Sequence, residues 1–118
     1  MTRGAALVAI LVVAGCASAT PKKPTSKYDW GAYQDSLYRM CMKGGAFDAA
    51  ADARTLEEQI ATTRADGLDV PPGLEAHVGM LCEAAGDHGR AAAHFEAEKA
   101  AFPESAPFMD ALLARIAR

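Results

Sequence analysis

The pattern of apolar and polar positions is clearest between residues 72 and 103, where two helical segments meet at a turn. Apolar residues recur there at intervals of three and four, the spacing of one face of an α-helix. The first segment carries Leu74, Val78, Leu81, Cys82 and Ala85 on this face, and the second carries Ala91, Phe95 and Phe102, with Glu98 as a polar exception. Gly86 and Asp87 between them suit a helix end followed by an N-cap. The pattern predicts a helical hairpin that Pro103 ends, because proline cannot continue a helix.

The segments on either side show the same helical spacing. Upstream, one helix is predicted from Trp30 to Gly44-Gly45, with Tyr33, Leu37, Met40 and Cys41 on its apolar face, and a second from the N-cap Asp48 through Leu56 and Ile60 to Asp66-Gly67. Downstream, Ser105 can cap a last helix over residues 106–117, with Phe108, Met109, Leu112, Leu113 and Ile116 as its stripe. We therefore predict an all-α fold of about five short antiparallel helices, in which the last helix covers the open face of the stacked hairpins.

The N-terminus follows a different pattern. Arg3 precedes an apolar run from Ala5 to Val13, which is shorter than the roughly 20 residues that a transmembrane helix needs and has the length of a secretory signal. The run ends in Val13-Ala14-Gly15-Cys16, which resembles the lipobox of bacterial lipoproteins. The resemblance implies cleavage after Gly15 and a lipid on Cys16. An ordinary signal peptidase site at Ala17-Ser18-Ala19 is the alternative.

These signals divide the chain into a signal peptide over 1–15, a lipidated tether over 16–27 and a helical domain over 28–118. The tether is small, polar and contains prolines, as linkers are. Two or three acyl chains on Cys16 would give a stable membrane anchor. Since no Asp follows Cys16, we expect the periplasmic face of the bacterial outer membrane. The formal charge of −3, or −4 after removal of Arg3, argues against nucleic-acid binding.

Candidate chemistry is sparse in this sequence. Of the three histidines, His88 and His94 are six residues apart, and His77 and Cys82 are five apart, so neither pair has the spacing of two metal ligands on one helix face. The sequence has no CxxC, HExxH or phosphate-binding loop. The carboxylates Glu57, Glu58, Glu96 and Glu98 are interpreted as solvated helix faces. We expect no enzymatic activity, no metal and no cofactor.

Cys41 and Cys82 lie at matching places in the two predicted hairpins, four residues before each turn. Two interpretations are open. In an oxidising compartment the two thiols could form a disulfide. Alternatively, both are small apolar residues buried on neighbouring helices.

The central hairpin resembles one tetratricopeptide repeat. The small residue Gly79, the turn Gly86-Asp87, the small residue Ala91, the aromatic Phe95 and the closing Pro103 follow the order of that family. Gly79 and Ala91 are small where the two helix backbones are expected to approach closely. Glu75 and Glu98 depart from the family's usual aromatic and alanine. The first hairpin is interpreted as a degenerate copy of the second.

The mature chain as a whole resembles a family of small bacterial lipoproteins without an established activity. Its marks are the opening Tyr28-Asp29-Trp30-Gly31-Ala32-Tyr33, the loop Val70-Pro71-Pro72-Gly73-Leu74, and the closing run from Phe102 to Met109. The resemblance implies an outer-membrane companion of a curli-type secretion lipoprotein and of another small lipoprotein, and it carries over no catalytic residue.

Two functions are expected from these features. The first is an acyl-anchored module that binds or assembles with an envelope protein. Aromatic residues supply many interface hot spots, so Tyr28, Trp30 and Tyr38 are the candidate contacts. For Trp30 the alternative is a place in the helix core, whereas Tyr38 lies off the apolar face. The second function is a tethered structural or regulatory factor that touches peptidoglycan or its synthases, for which the tether lysines are the signal.

Overall fold

The computed structural model describes residues 26–43 and 46–118. The predicted signal peptide, Cys16, most of the tether and the Gly44-Gly45 helix end lie outside the described residues. Within them the chain forms five α-helices and no strand, which confirms the all-α prediction. The helices are α1 (Tyr33–Lys43), α2 (Ala49–Ala65), α3 (Leu74–Ala84), α4 (His88–Ala101) and α5 (Ala106–Ile116), with a 3-10 turn at Pro103–Ser105. No helix of the described part has the length and apolar character needed to cross a membrane.

Local chemistry at the helix ends agrees with most predicted boundaries. Asp48 caps α2 by accepting a hydrogen bond from the Ala51 backbone at 2.9 Å, and Asp87 caps α4 by accepting one from Arg90 at 3.0 Å. Gly86 adopts the left-handed conformation, with φ of 81°, that ends α3. The predicted cap at Ser105 is wrong, because its hydroxyl donates to the Phe102 carbonyl at 2.7 Å and makes no cap bond to α5.

The core lies between α2, α3 and α4, with α5 packed on α4. Phe95 of α4 is completely buried, and its ring covers Gly79 of α3 so closely that a Cβ atom there would overlap it. Ala91 is also fully buried. The predicted close approach at Gly79 and Ala91 is therefore present, and it explains why the hairpin carries small residues there.

Helix α5 buries only part of its predicted stripe. Met109 and Leu112 are buried against the core, and Leu113 and Ile116 are partly buried. Phe108 is 58% exposed. The stripe is wider than the contact with α4, so its edge remains in solvent.

Helix α1 is attached by apolar and polar contacts, and Tyr33, Leu37 and Met40 of its predicted face pack against the core. The helix begins at Tyr33, so Trp30 precedes it, and the buried positions are Tyr33 and Ser36. Ser36 donates a hydrogen bond to Asp52 of α2 at 3.0 Å, and Arg39 forms an ion pair with the same carboxylate at 2.9 Å. These contacts place Ser36 inward and leave Cys41 exposed. Of the predicted face, Cys41 is therefore wrongly placed, and the core alternative for Trp30 is wrong because its ring is exposed.

Candidate functional site

An aromatic ladder leads from the surface into the core where the chain enters the domain. The rings of Tyr28 and Trp30 meet edge to face with centroids 6.1 Å apart. Trp30 stacks on Tyr33 at 6.2 Å with an interplanar angle of 6°, and Tyr33 lies against His77 at 5.6 Å. Trp30 is 39% exposed, whereas Tyr33 is 8% exposed. The ladder thus holds an exposed tryptophan rigidly on a buried support.

The entry segment is fixed by backbone and side-chain contacts on both sides of the ladder. Gln59 of α2 accepts a hydrogen bond from the Ala32 backbone at 2.9 Å and donates one to the Asp29 carbonyl at 3.1 Å. The Asp29 carboxylate accepts a hydrogen bond from Thr63 at 2.9 Å. Tyr28 forms an isolated backbone bridge with Asp69 of the α2–α3 loop. The segment that carries Trp30 is therefore ordered by the folded domain.

A groove of about 400 Å³ lies beside the ladder. Its lining comes from the entry segment, the end of α2, the α2–α3 loop and the end of α4: Lys27, Tyr28, Arg64, Leu68, Asp69, Val70, Ala101 and Phe102. Tyr28 both lines the groove and contacts Trp30, so the two features form one continuous surface. We call this combination of Tyr28, Trp30 and the groove the entry surface.

The charged residues of the entry surface have partners within the chain. Lys27 pairs with Asp69 at 2.9 Å and lies over the Tyr28 ring at 5.6 Å. Arg64 pairs with Glu75 at 2.6 Å. The two cationic groups of the groove are therefore paired within the chain, and its apolar and aromatic lining comes from Tyr28, Leu68, Val70, Ala101 and Phe102.

Tyr38 lies apart from the entry surface. It is five residues beyond Tyr33 on α1, which places it about 140° around the helix. Tyr38 is 64% exposed and Met42, one turn later, is 66% exposed. The structure thus joins Tyr28 and Trp30 into one surface and puts Tyr38 on a different face.

The two cysteines among the described residues, Cys41 and Cys82, are free thiols in the structure. Cys41 is exposed on α1, and Cys82 is completely buried on α3. Burial raises the pKa of the Cys82 thiol above its ordinary value. Of the two interpretations, burial as a small apolar residue describes Cys82 but does not describe Cys41.

A chain of three polar side chains, the buried Ser36 and His77 and the partly buried Asp52, connects α1, α2 and α3. Because the Ser36 hydroxyl donates to Asp52, it accepts at 2.8 Å from Nε2 of His77. His77 is 1% exposed, and its Nδ1 atom has no partner among the described residues. Burial lowers the pKa of His77 to about 4, and Asp52 opposes this shift only in part. His77 is therefore a neutral core histidine at neutral pH.

A second polar cluster, which we call the charge cluster, lies between α2, α3 and α4. It contains Glu57, Glu75, Arg90 and His94, with Arg64 at its edge. Nδ1 of His94 lies 2.6 Å from Glu75, and Nε2 lies 3.0 Å from Glu57. Arg90 forms a fork with both oxygens of Glu57. The hydrogen bond to Glu75 raises the pKa of His94, so this imidazole carries its charge more readily than an isolated one.

Cys82 lies beside this cluster, and a ligand atom of each of Glu57, Cys82 and His94 falls within 4.8 Å of the other two. This is the one group among residues 26–43 and 46–118 with three side chains placed to hold a metal. The three residues come from three helices, and Glu57 precedes Cys82 by 25 positions. No local spacing in the sequence could reveal it.

Glu98 forms a third buried polar contact. Its carboxylate is 3% exposed and accepts a hydrogen bond from the Gly73 backbone at 2.8 Å, with the Ala76 backbone at 3.4 Å. The N-terminus of α3 carries partial positive charge, so Glu98 caps that helix from α4. Burial raises the pKa of Glu98, and the two backbone hydrogen bonds oppose the shift.

The prediction of solvated carboxylates is therefore wrong for Glu57 and Glu98 and holds for the exposed Glu58 and Glu96. The sequence did contain one signal that Glu98 is buried. Glu98 lies three residues after Phe95 and four before Phe102, which places it on the apolar face of α4. An acid at such a position is buried only where donors face it. The free backbone groups at the start of α3 are those donors.

The fold and these sites define a small all-helical domain that combines an exposed aromatic entry surface with buried ionic groups between its helices. The chain belongs to the family described as a domain of unknown function, DUF4810, whose sequence profile matches residues 27–112. The match runs from the entry segment into α5. Neither the curated proteins nor the solved structures gave a match to this chain.

Proposed function

We propose that this protein is a lipid-anchored module that binds another envelope protein at the periplasmic face of the bacterial outer membrane and acts in assembly of an envelope complex. A curli-type secretion complex is the first candidate. The observation that carries the proposal is the entry surface, where Trp30 stands exposed on a buried aromatic support beside a groove of about 400 Å³.

The chemistry of the entry surface suits a protein partner. Tryptophan and tyrosine give large contact areas with few rotatable bonds, so little conformational entropy is lost when they bind. Trp30 is already held by stacking on Tyr33. Because Lys27 and Arg64 are paired within the chain, burying apolar side chains rather than attracting charge would drive the contact.

The proposed anchor limits where the partner lies. A tether over residues 16–27 spans at most roughly 40 Å when fully extended. The entry surface begins at the end of this tether, at Lys27 and Tyr28. A partner that touches it would therefore be a membrane protein or a protein held close to the membrane.

The partner can be sought by affinity purification of the tagged full chain from detergent-solubilised envelopes of the source bacterium. We expect one or more envelope proteins to be recovered with the native chain and to be lost with the double substitution Tyr28→Ala and Trp30→Ala. Phe108→Ala is the matched control, because Phe108 is an exposed aromatic on α5 that does not line the groove. Equal recovery with the native chain and the double variant would refute the entry surface as the binding site.

The anchor is tested separately by mass spectrometry of the mature N-terminus and by density-gradient separation of the two membranes. We expect an acylated Cys16 in the outer-membrane fraction and a soluble or unprocessed product after Cys16→Ala. A mature chain beginning at Thr20 would instead show the ordinary signal peptidase site. Co-sedimentation with purified cell wall, unaffected by Tyr28→Ala and Trp30→Ala, would favour the alternative function at peptidoglycan.

A further inference from the structure

Three helices each contribute one metal-ligating side chain to the interior of the domain. Glu57 comes from α2, Cys82 from α3 and His94 from α4, and their ligand atoms lie within 4.8 Å of one another. Cys82 is fully buried, and the side chains of His94 and Glu57 are 18% and 29% exposed. The site is therefore closed to solvent at the Cys82 sulfur and open to solvent at His94 and Glu57.

The surroundings orient these groups as the second shell of a metal site does. Glu75 is 3% exposed and accepts a hydrogen bond from Nδ1 of His94 at 2.6 Å. With Nδ1 held by this contact, Nε2 of the same ring faces Oε1 of Glu57 at 3.0 Å. A carboxylate on the far nitrogen of a metal-bound histidine is the usual arrangement, because it fixes the tautomer and makes the ring a better ligand. Arg64 in turn holds Glu75 at 2.6 Å.

We propose that Glu57, Cys82 and His94 bind a divalent transition metal of the zinc class, with Sγ of Cys82, Nε2 of His94 and Oε1 of Glu57 as ligands and a water in the fourth position. Glu75 is a positioning residue, since it acts through His94. The proposal does not rest on the proposed partner, and the site shares with the entry surface only Arg64, which lines the groove and pairs with Glu75.

The donor set selects the class of metal. A thiolate, an imidazole and a carboxylate are all ligands that Zn²⁺ accepts, whereas Mg²⁺ and Ca²⁺ take oxygen ligands. Zinc bonds of about 2.0 to 2.3 Å place tetrahedral ligand atoms roughly 3.5 Å apart. The three ligand atoms lie within 4.8 Å of one another, so the side chains need to move inward only slightly to reach this spacing.

Both ring nitrogens of His94 lie against carboxylates, at 2.6 and 3.0 Å, which is the geometry of a ring with a proton on each nitrogen. A divalent ion that replaces the Nε2 proton and the thiol proton of Cys82, both of which leave to solvent, keeps the charge of the cluster unchanged. Oε2 of Glu57 keeps its contact with Arg90 while Oε1 binds the metal. Since the ligands come from α2, α3 and α4, the metal would cross-link the three helices that form the core.

Cobalt provides the direct test, because a thiolate bound to Co²⁺ gives a charge-transfer band in the near ultraviolet that an ion-pair network cannot give. The full chain, purified in detergent and stripped with a chelator, is titrated with Co²⁺ and then with Zn²⁺. We expect the band to saturate at one equivalent and to disappear as zinc displaces cobalt. Absence of the band would overturn the proposal and leave the charge cluster as an ion-pair network alone.

Matched variants identify the ligands. Cys82→Ser and His94→Gln should abolish the band, whereas Cys41→Ser, Cys16→Ser and His88→Gln should retain it. Glu75→Gln should keep the band but weaken affinity by roughly 10- to 100-fold, as expected for a second-shell residue. A band retained in Cys82→Ser would refute the assignment.

A measurement on the native chain covers the case in which a core variant fails to fold. X-ray absorption of the zinc-loaded chain should show one sulfur at about 2.3 Å and the remaining ligands as nitrogen or oxygen at about 2.0 to 2.2 Å. A ligand shell without sulfur, or with more than one, would also refute the site.

Discussion

Helices α1 and α3 have the same length of 11 residues and opposite environments. Eight residues of α3 are buried, including the polar Glu75 and His77, whereas α1 buries two. On α1 the large apolar side chains Tyr38 and Met42 are instead exposed. Helix α3 is the more hydrophobic of the two, but the buried Glu75 and His77 and the exposed Tyr38 and Met42 show that hydrophobicity does not decide the burial of each residue.

Position in the bundle explains the difference. Helix α3 lies between α2 and α4 and also contacts α1, so nearly every direction around it is occupied. Both buried polar residues make contacts from other helices: Ser36 contacts Nε2 of His77, and Arg64 and His94 contact Glu75, while Nδ1 of His77 alone has no partner among the described residues. Helix α1 packs on one side only, and its outer face is free for a partner or for solvent. The comparison therefore separates the hairpin of α3 and α4, which stabilises the fold, from α1, which exposes side chains on its outer face.

The largest expected effect is on the stabilising hairpin. Phe95→Ala should lower the free energy of unfolding by about 3 to 5 kcal/mol, because it leaves a cavity over Gly79 at the centre of the core. Urea denaturation followed by circular dichroism measures the change. The control Phe108→Ala removes an exposed ring and should cost less than about 0.5 kcal/mol. Equal losses in the two variants would contradict the division between hairpin and surface.

Acid should destabilise the domain through His77. Unfolded His77 binds a proton near pH 6.5, whereas folded His77 does so only near pH 4. Between these values the unfolded state binds more protons than the folded state. The contribution of His77 to the free energy of unfolding therefore decreases as the pH is lowered, by up to about 3 kcal/mol in total.

The contribution of His94 to stability changes with pH in the opposite direction. Because folding raises the pKa of His94, this contribution is present below pH 6.5 and is lost as the pH increases through the pKa of the folded state. Urea unfolding at several pH values between 4 and 6.5 therefore avoids the range of His94, and the difference between the native chain and His77→Gln separates His77 from Glu98, whose raised pKa acts in the opposite direction. His77→Gln should flatten the pH dependence in this range, and the exposed control His88→Gln should keep it. An unchanged slope in His77→Gln would show that other groups carry the acid sensitivity.

A smaller effect is expected where α4 caps α3. Glu98→Ala leaves the backbone donors of Gly73 and Ala76 without their carboxylate, which should cost about 1 to 3 kcal/mol. Glu96→Ala, two residues earlier and exposed, is the control and should change stability by less than about 1 kcal/mol, since it removes only a surface ion pair with Lys99. Thermal unfolding of both variants would decide whether the buried cap contributes.

The smallest effect on folding is expected on α1. Tyr38→Ala combined with Met42→Ala should change the free energy of unfolding by no more than about 1 kcal/mol, because both side chains are largely in solvent. The same urea assay measures it. A larger loss would mean that the outer face of α1 packs against something in the folded chain and that the comparison drawn above fails.

The sequence by itself determined the helices and most of their ends. The intervals of three and four predicted every helix, and the caps Asp48 and Asp87 follow from side-chain chemistry that acts within one turn. Gly79 and Ala91 also predicted that two helices approach closely, because only small residues allow such a contact. These are local effects, and local sequence is enough to specify them.

Only the tertiary structure decided which polar residues are buried and which apolar residues are exposed. Glu98 lies in the core because the start of α3 offers it backbone donors, and Cys41 lies outside because Ser36 and Arg39 fix α1 through Asp52. Glu57, Cys82 and His94 meet because three helices pack around one point. Each outcome depends on partners distant in sequence, and the spacing of apolar residues along one helix contains no information about the groups that will face it.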